Sequence, residues 1–188
     1  MHAINAALAV LGDKPSPAPF SIKDKKEALF LLAHLLGDLH QPLHVGAVYW
    51  SSSGHEVHPD KAGMSDQQKE ASATAGGNFI ELGSKNIHGI WDEVPGTWSP
   101  ALRDQVVAQG KNVPKTPGKL EELAAVWASD TVVECGKALT GLKFGTKHGK
   151  DWPATASEDY HKHISALAQE QAAKGGARLA QLLNTIWP

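Results

Sequence analysis

The sequence predicts a mostly α-helical fold with long loops, organised as a single domain over residues 1–188. Three observations lead to this prediction. Apolar residues recur with helical periodicity along most of the chain. Helix-capping residues precede several of these stretches. Only short segments have the character of strands. A chain of this length can bury a sizeable core.

The charge balance excludes one class of function. The chain has 18 Lys and Arg residues against 20 Asp and Glu residues, for a net charge of −2. A broad cationic face for phosphate groups is therefore not expected. Any nucleic-acid role would depend on a local site such as bound metal ions, which bring their own positive charge. No run approaches the ~20 apolar residues of a membrane span.

The first two helices are well marked. The start, "MHAINAALAVLG", predicts a folded helix ending at Gly12 rather than a secretion signal, since it lacks a basic n-region and Asn5 interrupts its apolar stretch. The Pro-rich turn "GDKPSPAPFS" cannot continue this helix. Ser21 and Asp24 then precede "KKEALFLLAHLLGDLHQ", which predicts a capped, strongly apolar helix.

The remaining elements follow from turn and cap signals. Residues 45–78 are expected to form an irregular excursion ending in "AGGN", where an ordinary tight turn is favoured over a phosphate cradle. Ser99 and Pro100 indicate a helix start. The other predicted elements are a short strand at "NFIEL", a helix at "NIHGIWDEV", two longer helices near 118–140 and 157–186, and a loop at "KHGKDWPA" between those two.

A first pair of candidate ligands lies in the second helix. His34 and Asp38 are four residues apart and so share a helix face. Four residues after Asp38, Pro42 clashes with the helical backbone and forces a kink or an end. His44 therefore leaves the helix at a new angle and can point back toward that face.

A second pair repeats this spacing, since His88 and Asp92 stand four apart in "HGIWD". The two segments together offer three imidazoles and two carboxylates, the ligand set that zinc prefers at catalytic sites. A single pair of this kind is more often a surface pair or a hydrogen-bonded core histidine. The presence of two pairs is what favours a metal.

Other conspicuous residues have simpler interpretations. His40 falls off the face of His34 and Asp38, so a supporting or structural role is expected rather than ligation. His55 and His58 are expected to be solvated. Cys135, the only cysteine, is interpreted as a buried small hydrophobe. The six tryptophans are interpreted as core residues.

These motifs resemble a known family. "AHLLGDLHQPLH", followed by "GGN" and "NIHGIWD", is similar to the zinc-dependent single-strand-specific nucleases of the S-one/P-one type, which are related to the zinc-dependent phospholipases C of bacteria. "WASDTV" and "GGARLAQLLN" resemble the last helices of that family. The resemblance covers nearly the whole chain and implies the family's mostly α-helical fold.

The resemblance also implies an activity. His34 and Asp38 match part of the ligand set of one zinc, and Asp38 also reaches a third zinc, which makes it a metal-bridging catalytic residue. His44, His88 and Asp92 match the complete protein ligand set of the remaining zinc. Up to three zinc ions would then hydrolyse single-stranded RNA and DNA, or 3′-nucleotides, to 5′-phosphate products. The implied location is secreted or periplasmic.

The chain departs from the family at its start. Family members begin with a Trp, and further His and Asp residues complete the first zinc site, so the N-terminal third of the family chain is expected to be missing. The surface exposed by its absence could cause self-association, and Cys135 could have lost a disulfide partner. The rival interpretations are a truncated, catalytically impaired zinc-binding remnant and, less favoured, a zinc-dependent phospholipase C. Residues that bind the substrate are not assigned.

Overall fold

The computed structural model describes residues 1–61 and 63–188 and confirms a mostly α-helical protein. The helices are α1 (His2–Leu11), α2 (Lys25–Leu39), α3 (Pro42–Val45), α4 (Asp66–Ser72), α5 (Ile87–Glu93), α6 (Pro100–Gly110), α7 (Leu120–Val132), α8 (Cys135–Ala138) and α9 (Tyr160–Ile186), with a 3₁₀ turn at Val94–Thr97. The strands are β1 (Tyr49–Trp50), β2 (Glu56–Val57), β3 (Ile80–Leu82), β4 (Lys85–Asn86), β5 (Leu142–Phe144) and β6 (Trp152–Ala156).

The chain divides into two compact units. Unit 1 comprises Met1–His40, Ser99–Asp130 and Glu170–Pro188, and unit 2 comprises Gln41–Trp98 and Thr131–Gln169. The prediction of a single domain over residues 1–188 therefore stays a prediction. No helix of the part of the chain that the structure describes is long and apolar enough to cross a bilayer.

Unit 1 is a helical assembly in which α1 packs against α2. The buried apolar residues of these two helices include Ala6, Leu11, Ala28, Leu32 and Leu36. The predicted cap is present, because the Asp24 side chain accepts a hydrogen bond of 2.8 Å from the Glu27 amide at the start of α2. This cap satisfies one of the free amides of the first turn and fixes where α2 begins.

Two further features of unit 1 agree with the sequence. Ser99 accepts a hydrogen bond from the Leu102 amide at 3.2 Å, and Pro100 occupies the first position of α6. Trp127 of α7 is fully buried, and its indole N–H donates to the Thr116 hydroxyl at 2.8 Å. The indole is therefore a core residue with its polar group satisfied.

Unit 2 contains the small sheets. The four-stranded sheet has the order β4-β3-β6-β5, in which β3 pairs with β6 in parallel and the other pairs are antiparallel. A separate two-stranded hairpin joins β1 and β2. Ile80 and Trp152 form one register pair of the larger sheet, and both side chains are fully buried.

Cys135 lies in the interior of unit 2, as predicted, and is a free thiol. A Cβ atom added at Gly46 would lie 2.2 Å from the Cys135 Cβ atom, so the two residues are in tight contact. Burial raises the pKa of the Cys135 thiol to about 11. The thiol is therefore protonated at neutral pH and unreactive.

The sequence-based boundaries were wrong in three places. Residues 45–78 are not wholly irregular, because they contain β1, β2 and α4; Ala62 of this segment lies outside the described residues. The "KHGKDWPA" stretch is not only a loop, since β6 begins within it at Trp152. The helix predicted near 118–140 is two helices, α7 and α8. These strands of two to five residues are too short to show an alternating pattern.

Candidate metal centre

Two short helices of unit 2 carry the three candidate ligands that the structure brings together. Helix α5 begins after Asn86, whose side-chain oxygen accepts a hydrogen bond from the Gly89 amide at 2.7 Å. His88 and Asp92 lie one turn apart on this helix and therefore share a face. The N-cap thus sets the position of both side chains.

The third candidate, His44, comes from α3. Pro42 occupies the first turn of this helix, where the missing N–H costs nothing. Gln41 is the N-cap, and its side-chain oxygen accepts a hydrogen bond from the Leu43 amide at 2.5 Å. Because α2 has already ended at Leu39, His44 belongs to a separate helix, as the position of the proline predicted.

The three side chains converge. His44 Nε2 lies 3.2 Å from Asp92 Oδ1, and His88 Nε2 lies 3.6 Å from Asp92 Oδ2. The two imidazole rings are 4.7 Å apart between centroids and tilted by 33°. One potential ligand atom from each residue lies within 4.8 Å of the other two.

This geometry suits a zinc ion. In a tetrahedral site with metal–ligand distances near 2.1 Å, neighbouring donor atoms lie about 3.4 Å apart. The two His–Asp distances, 3.2 and 3.6 Å, lie near that value, each to a different oxygen of the Asp92 carboxylate. Two imidazole nitrogens and one carboxylate oxygen are also the donor types of catalytic zinc sites. The residues present therefore fit the metal that the motifs suggest.

A backbone contact sets the tautomer of the neutral His88 ring. Its Nδ1 lies 2.8 Å from the Gly76 carbonyl oxygen, which can only accept a hydrogen bond. Nδ1 therefore carries the proton, and Nε2 is left with the lone pair that a metal needs. Such a carbonyl contact also fixes the orientation of the ring.

The turn that supplies this carbonyl has an unusual backbone. Ala75, Gly76 and Gly77 all have positive φ, at 50°, 61° and 87°. A Cβ atom at Gly76 would lie 2.3 Å from the Leu43 carbonyl oxygen, where no side chain fits. The "GGN" sequence is thus a tight turn, as predicted, and its role at this centre is to place the carbonyl that holds His88.

Gln41 has a second role besides capping α3. Its Nε2 donates to Asp92 Oδ1 at 3.0 Å. Burial acts to raise the pKa of Asp92, but the hydrogen bonds from Gln41 and His44 and the nearby imidazoles outweigh it, so the pKa lies below its ordinary value. The carboxylate is therefore ionised at neutral pH and able to bind a cation.

His34 and Asp38 form the predicted pair on α2, in unit 1. His34 Nε2 lies 3.3 Å from Asp38 Oδ2, and the His34 side chain is 71% exposed. The pair supplies two donors, whereas catalytic zinc sites use three protein ligands. Within the described residues, His44, His88 and Asp92 form the one group of three or more donors close enough to share an ion.

His40 belongs to the core of unit 1. Its Nδ1 lies 2.7 Å from the Leu36 carbonyl oxygen, and its Nε2 lies 3.0 Å from an Arg178 nitrogen, which can only donate. Burial is the main cause that lowers the pKa of His40 to about 4. Both ring nitrogens are occupied, which supports the structural role expected from its position on the helix.

The sequence alone did not identify two residues of this centre, Gln41 and Gly76. Gln41 stands directly before a proline, which was a signal for an N-cap, but its contact with Asp92 joins residues 51 positions apart. Gly76 was recognised as part of a turn, while the partner of its carbonyl depends on tertiary structure. The remaining histidines that were expected to be solvated, His55 and His58, are exposed.

Comparison with known proteins gives a consistent result. The sequence model of the S1/P1 Nuclease family matches residues 1–188. The chain is 26% identical to Endonuclease 2 of Arabidopsis thaliana over 204 aligned positions, which cover 97% of this chain and 59% of that protein. It is 28% identical to Endonuclease 1 of the same plant, over 86% of this chain and 50% of that protein. The chain therefore spans about half the length of the curated relatives it matches.

Proposed function

Because the chain belongs to the S1/P1 nuclease family, we propose that it is a zinc-dependent phosphodiesterase. Its substrates would be single-stranded RNA and DNA and 3′-nucleotides, and its products would carry 5′-phosphates. The names of the Arabidopsis relatives, all endonucleases, support a nucleic-acid substrate. We also propose a secreted or periplasmic location.

The observation that carries this proposal is the convergence of His44, His88 and Asp92. A zinc ion held by these residues supplies a Lewis acid that activates water and offsets the negative charge of a phosphodiester. The zinc ion would also supply positive charge for the phosphate backbone, because the chain is slightly acidic and has no excess of Lys and Arg.

Gly76 and Gln41 orient two of the proposed zinc ligands before a metal binds. The Gly76 carbonyl holds the Nδ1 proton of His88, so that Nε2 faces the ligand position. The Gln41 amide orients the Asp92 carboxylate and favours its ionised form. A set of donors fixed before the ion arrives lowers the cost of ordering them on binding.

His34 and Asp38 are proposed as ligands of further zinc, with Asp38 as the metal-bridging catalytic residue. Since the pair offers two donors, this position needs ligands from elsewhere. The curated relatives are about twice as long as the matched region. We therefore propose that further zinc needs donors from outside the matched region, and that this chain cleaves with the zinc held by His44, His88 and Asp92.

A second candidate function is that of a catalytically impaired zinc-binding remnant. It is favoured by one observation: among residues 1–61 and 63–188, a single group offers three converging donors. One zinc could then hold α3 and α5 together without supporting hydrolysis, since structural zinc contributes directly to folding.

A cleavage assay separates the two candidates. The chain is supplied with zinc and given a single-stranded oligonucleotide or the same sequence as a duplex. We expect cleavage of the single strand only, loss of cleavage with a chelator, and 5′-phosphate ends in mass spectra of the products. Asp92→Asn should reduce the rate at least about 100-fold, because the ligand charge is lost.

The matched control is Asp104→Asn, which removes an exposed carboxylate of α6. It should cleave like the wild type. Zinc binding without any cleavage by the wild-type chain would support the remnant and overturn the proposed activity for this chain.

A further inference from the structure

Two β-hairpins of unit 2 contact each other through hydrogen bonds. The Lys147 amide donates to the Ser52 carbonyl oxygen at 2.8 Å, and the Trp152 indole donates to the Ser51 carbonyl oxygen at 2.8 Å. A Cβ atom at Gly54 would lie 2.9 Å from backbone oxygens of the β5–β6 hairpin. The β1–β2 hairpin therefore packs directly on the β5–β6 hairpin. We call Trp50, Phe79, Phe144, Lys147 and Lys150 the hairpin surface.

The hairpin surface contains a stacked aromatic pair. The rings of Trp50 and Phe144 are 3.9 Å apart between centroids, with 27° between their planes. Both residues are only half-buried. Trp50 thus differs from Trp91, Trp127 and Trp152, which are core residues as expected. Half-buried aromatic rings are the platforms on which bases of single-stranded nucleic acids stack.

Cations lie beside the aromatic rings. The Lys150 ammonium is 5.0 Å from the centre of the Phe79 ring, and Lys150 is exposed. The Lys147 ammonium is 4.1 Å from the centre of the Trp152 ring and donates to the Ala71 carbonyl oxygen at 2.5 Å. These contacts within the protein leave it less able to bind a ligand. Lys150 is therefore the cation of this surface best placed to meet a phosphate group.

Acidic groups are also present and limit the attraction. Glu56 is the register partner of Trp50, and Asp151 follows Lys150. Against them stand Lys147 and Lys150, together with the exposed His55 and His148. The charges of the two lysines and the two acidic residues cancel, so this surface has no net positive charge from these four groups. Binding would therefore rely on stacking as much as on phosphate contacts, as is typical of single-strand recognition.

The chain connects the hairpin surface to the candidate metal centre within unit 2. The segment begins directly after α3, which carries His44, and it returns to the Gly76 turn that holds His88. Thr74 connects the two ends of this segment, because its amide and its hydroxyl both donate to the Val48 carbonyl oxygen, at 3.2 and 2.9 Å. The six residue-to-residue steps from His44 to Trp50 span at most about 20 Å. One single strand of several nucleotides can reach both places.

We propose that the hairpin surface binds the part of a single-stranded nucleic acid that extends beyond the metal centre, with a base stacked on Trp50 and a phosphate paired with Lys150. This inference rests on the proposed function for the identity of the ligand. It requires no metal, because stacking and phosphate contacts come from the side chains themselves.

The test is binding of a fluorescently labelled 12-nucleotide oligothymidylate to the 188-residue chain, measured by anisotropy at low salt with a chelator present. Trp50→Leu should weaken binding about fivefold or more, since one stacked base is lost. Lys150→Gln should weaken it about two- to fivefold and lower the salt dependence by about one phosphate contact.

Two matched controls remove the same side-chain types elsewhere. Trp187→Leu replaces an exposed tryptophan of unit 1, and Lys111→Gln replaces an exposed lysine of unit 1. Both should bind like the wild type. Circular dichroism checks that each variant is folded. If Trp50→Leu does not fold, Trp50→Phe replaces it. Trp50→Phe keeps an aromatic ring and should retain binding, so the decisive variant is then Lys150→Gln.

The outcomes also separate this inference from the proposed function. No binding by the wild type in chelator, or equal binding by the hairpin variants and the controls, would overturn the inference even if the zinc-loaded chain cleaves single strands. Binding that depends on Trp50 and Lys150, with no cleavage in zinc, would support the inference and contradict the proposed activity.

Discussion

At the residue scale, His40 shows how a polar side chain fits inside an apolar helix. It is 3% exposed, and its two ring nitrogens bond Leu36 and Arg178. Arg178 is in turn paired with Asp130. Because the guanidinium can only donate, the imidazole must be neutral to accept its hydrogen bond. The neutral form is therefore built into the folded state.

This arrangement predicts acid sensitivity. The pKa of His40 falls from 6.5 to about 4 in the folded protein, mainly through burial. Between these values the unfolded chain binds more protons, so the free energy of unfolding decreases as the pH falls from 6.5 to 4. The loss from this residue should be about 3 kcal/mol. His40→Gln keeps a donor and an acceptor but does not titrate. Its free energy of unfolding should therefore fall by about 3 kcal/mol less than that of the wild type over the same pH range.

Urea denaturation of the metal-free chain at several pH values measures this effect. His2→Gln is the control, because it removes a histidine that is exposed in the structure. It should keep the pH dependence of the wild type. The same pH dependence in His40→Gln and His2→Gln would contradict the assignment of a neutral, buried His40.

The sequence predicted the candidate ligands His44, His88 and Asp92 because local rules suffice for them. The spacing of His88 and Asp92 depends only on helix geometry, and Pro42 ends the preceding helix by its own chemistry. Gln41 could not be assigned in the same way, since its amide meets a carboxylate from a distant helix. Contacts of this kind are decided by packing rather than by local sequence.

At the element scale, the turn at residues 75–77 has a backbone that few other residues could adopt. It holds three successive residues with positive φ and supplies the carbonyl that orients His88. Gly76 combines a left-handed conformation with the absence of space for a Cβ atom. The sequence indicated the turn, but not what its backbone would contact.

We therefore predict that Gly76→Ala weakens zinc binding by about tenfold or more, because loss of a group that orients a ligand typically costs that much. The added Cβ atom would collide with the Leu43 carbonyl oxygen and move the turn away from His88. Competition with a chromophoric chelator measures the zinc affinity.

Gly83→Ala is the matched control. Gly83 has φ of 66°, close to the 61° of Gly76, but an added Cβ atom there meets nothing within 4 Å. Both variants carry similar backbone strain, and only one disturbs the centre. Equal zinc affinities in the two variants would show that the turn does not position His88.

The short strands mark the limit of sequence-based prediction at this scale. The long helices were recognised because their apolar pattern repeats over several turns. Strand β1 has two residues and pairs with the nearby β2, whereas β6 has five residues and pairs with the distant β3. The contact between the β1–β2 and β5–β6 hairpins joins residues about 95 positions apart, such as Ser52 and Lys147. The hairpin surface depends on that contact and was therefore not predicted from the sequence. The expectation that all six tryptophans are core residues was wrong for Trp50, which is half-buried, and for Trp187, which is exposed.

At the scale of the whole molecule, the chain consists of two compact units and spans about half the length of its curated relatives. Several large apolar side chains of the described residues are exposed, including Phe30 at 66% and Val133 at 67%. Self-association through such surface stays a prediction. The family and the mostly α-helical fold are established, while the zinc chemistry is the central claim still to be measured.

The most direct test of that claim is the zinc content of the purified chain, by elemental analysis of the wild type, His44→Ala and His161→Ala. His161 is an exposed histidine of unit 2 outside the centre. We expect His44→Ala to lose about one zinc per chain relative to the wild type, since a three-ligand site loses a ligand, and His161→Ala to keep the full content. An unchanged zinc content in His44→Ala would contradict the metal centre.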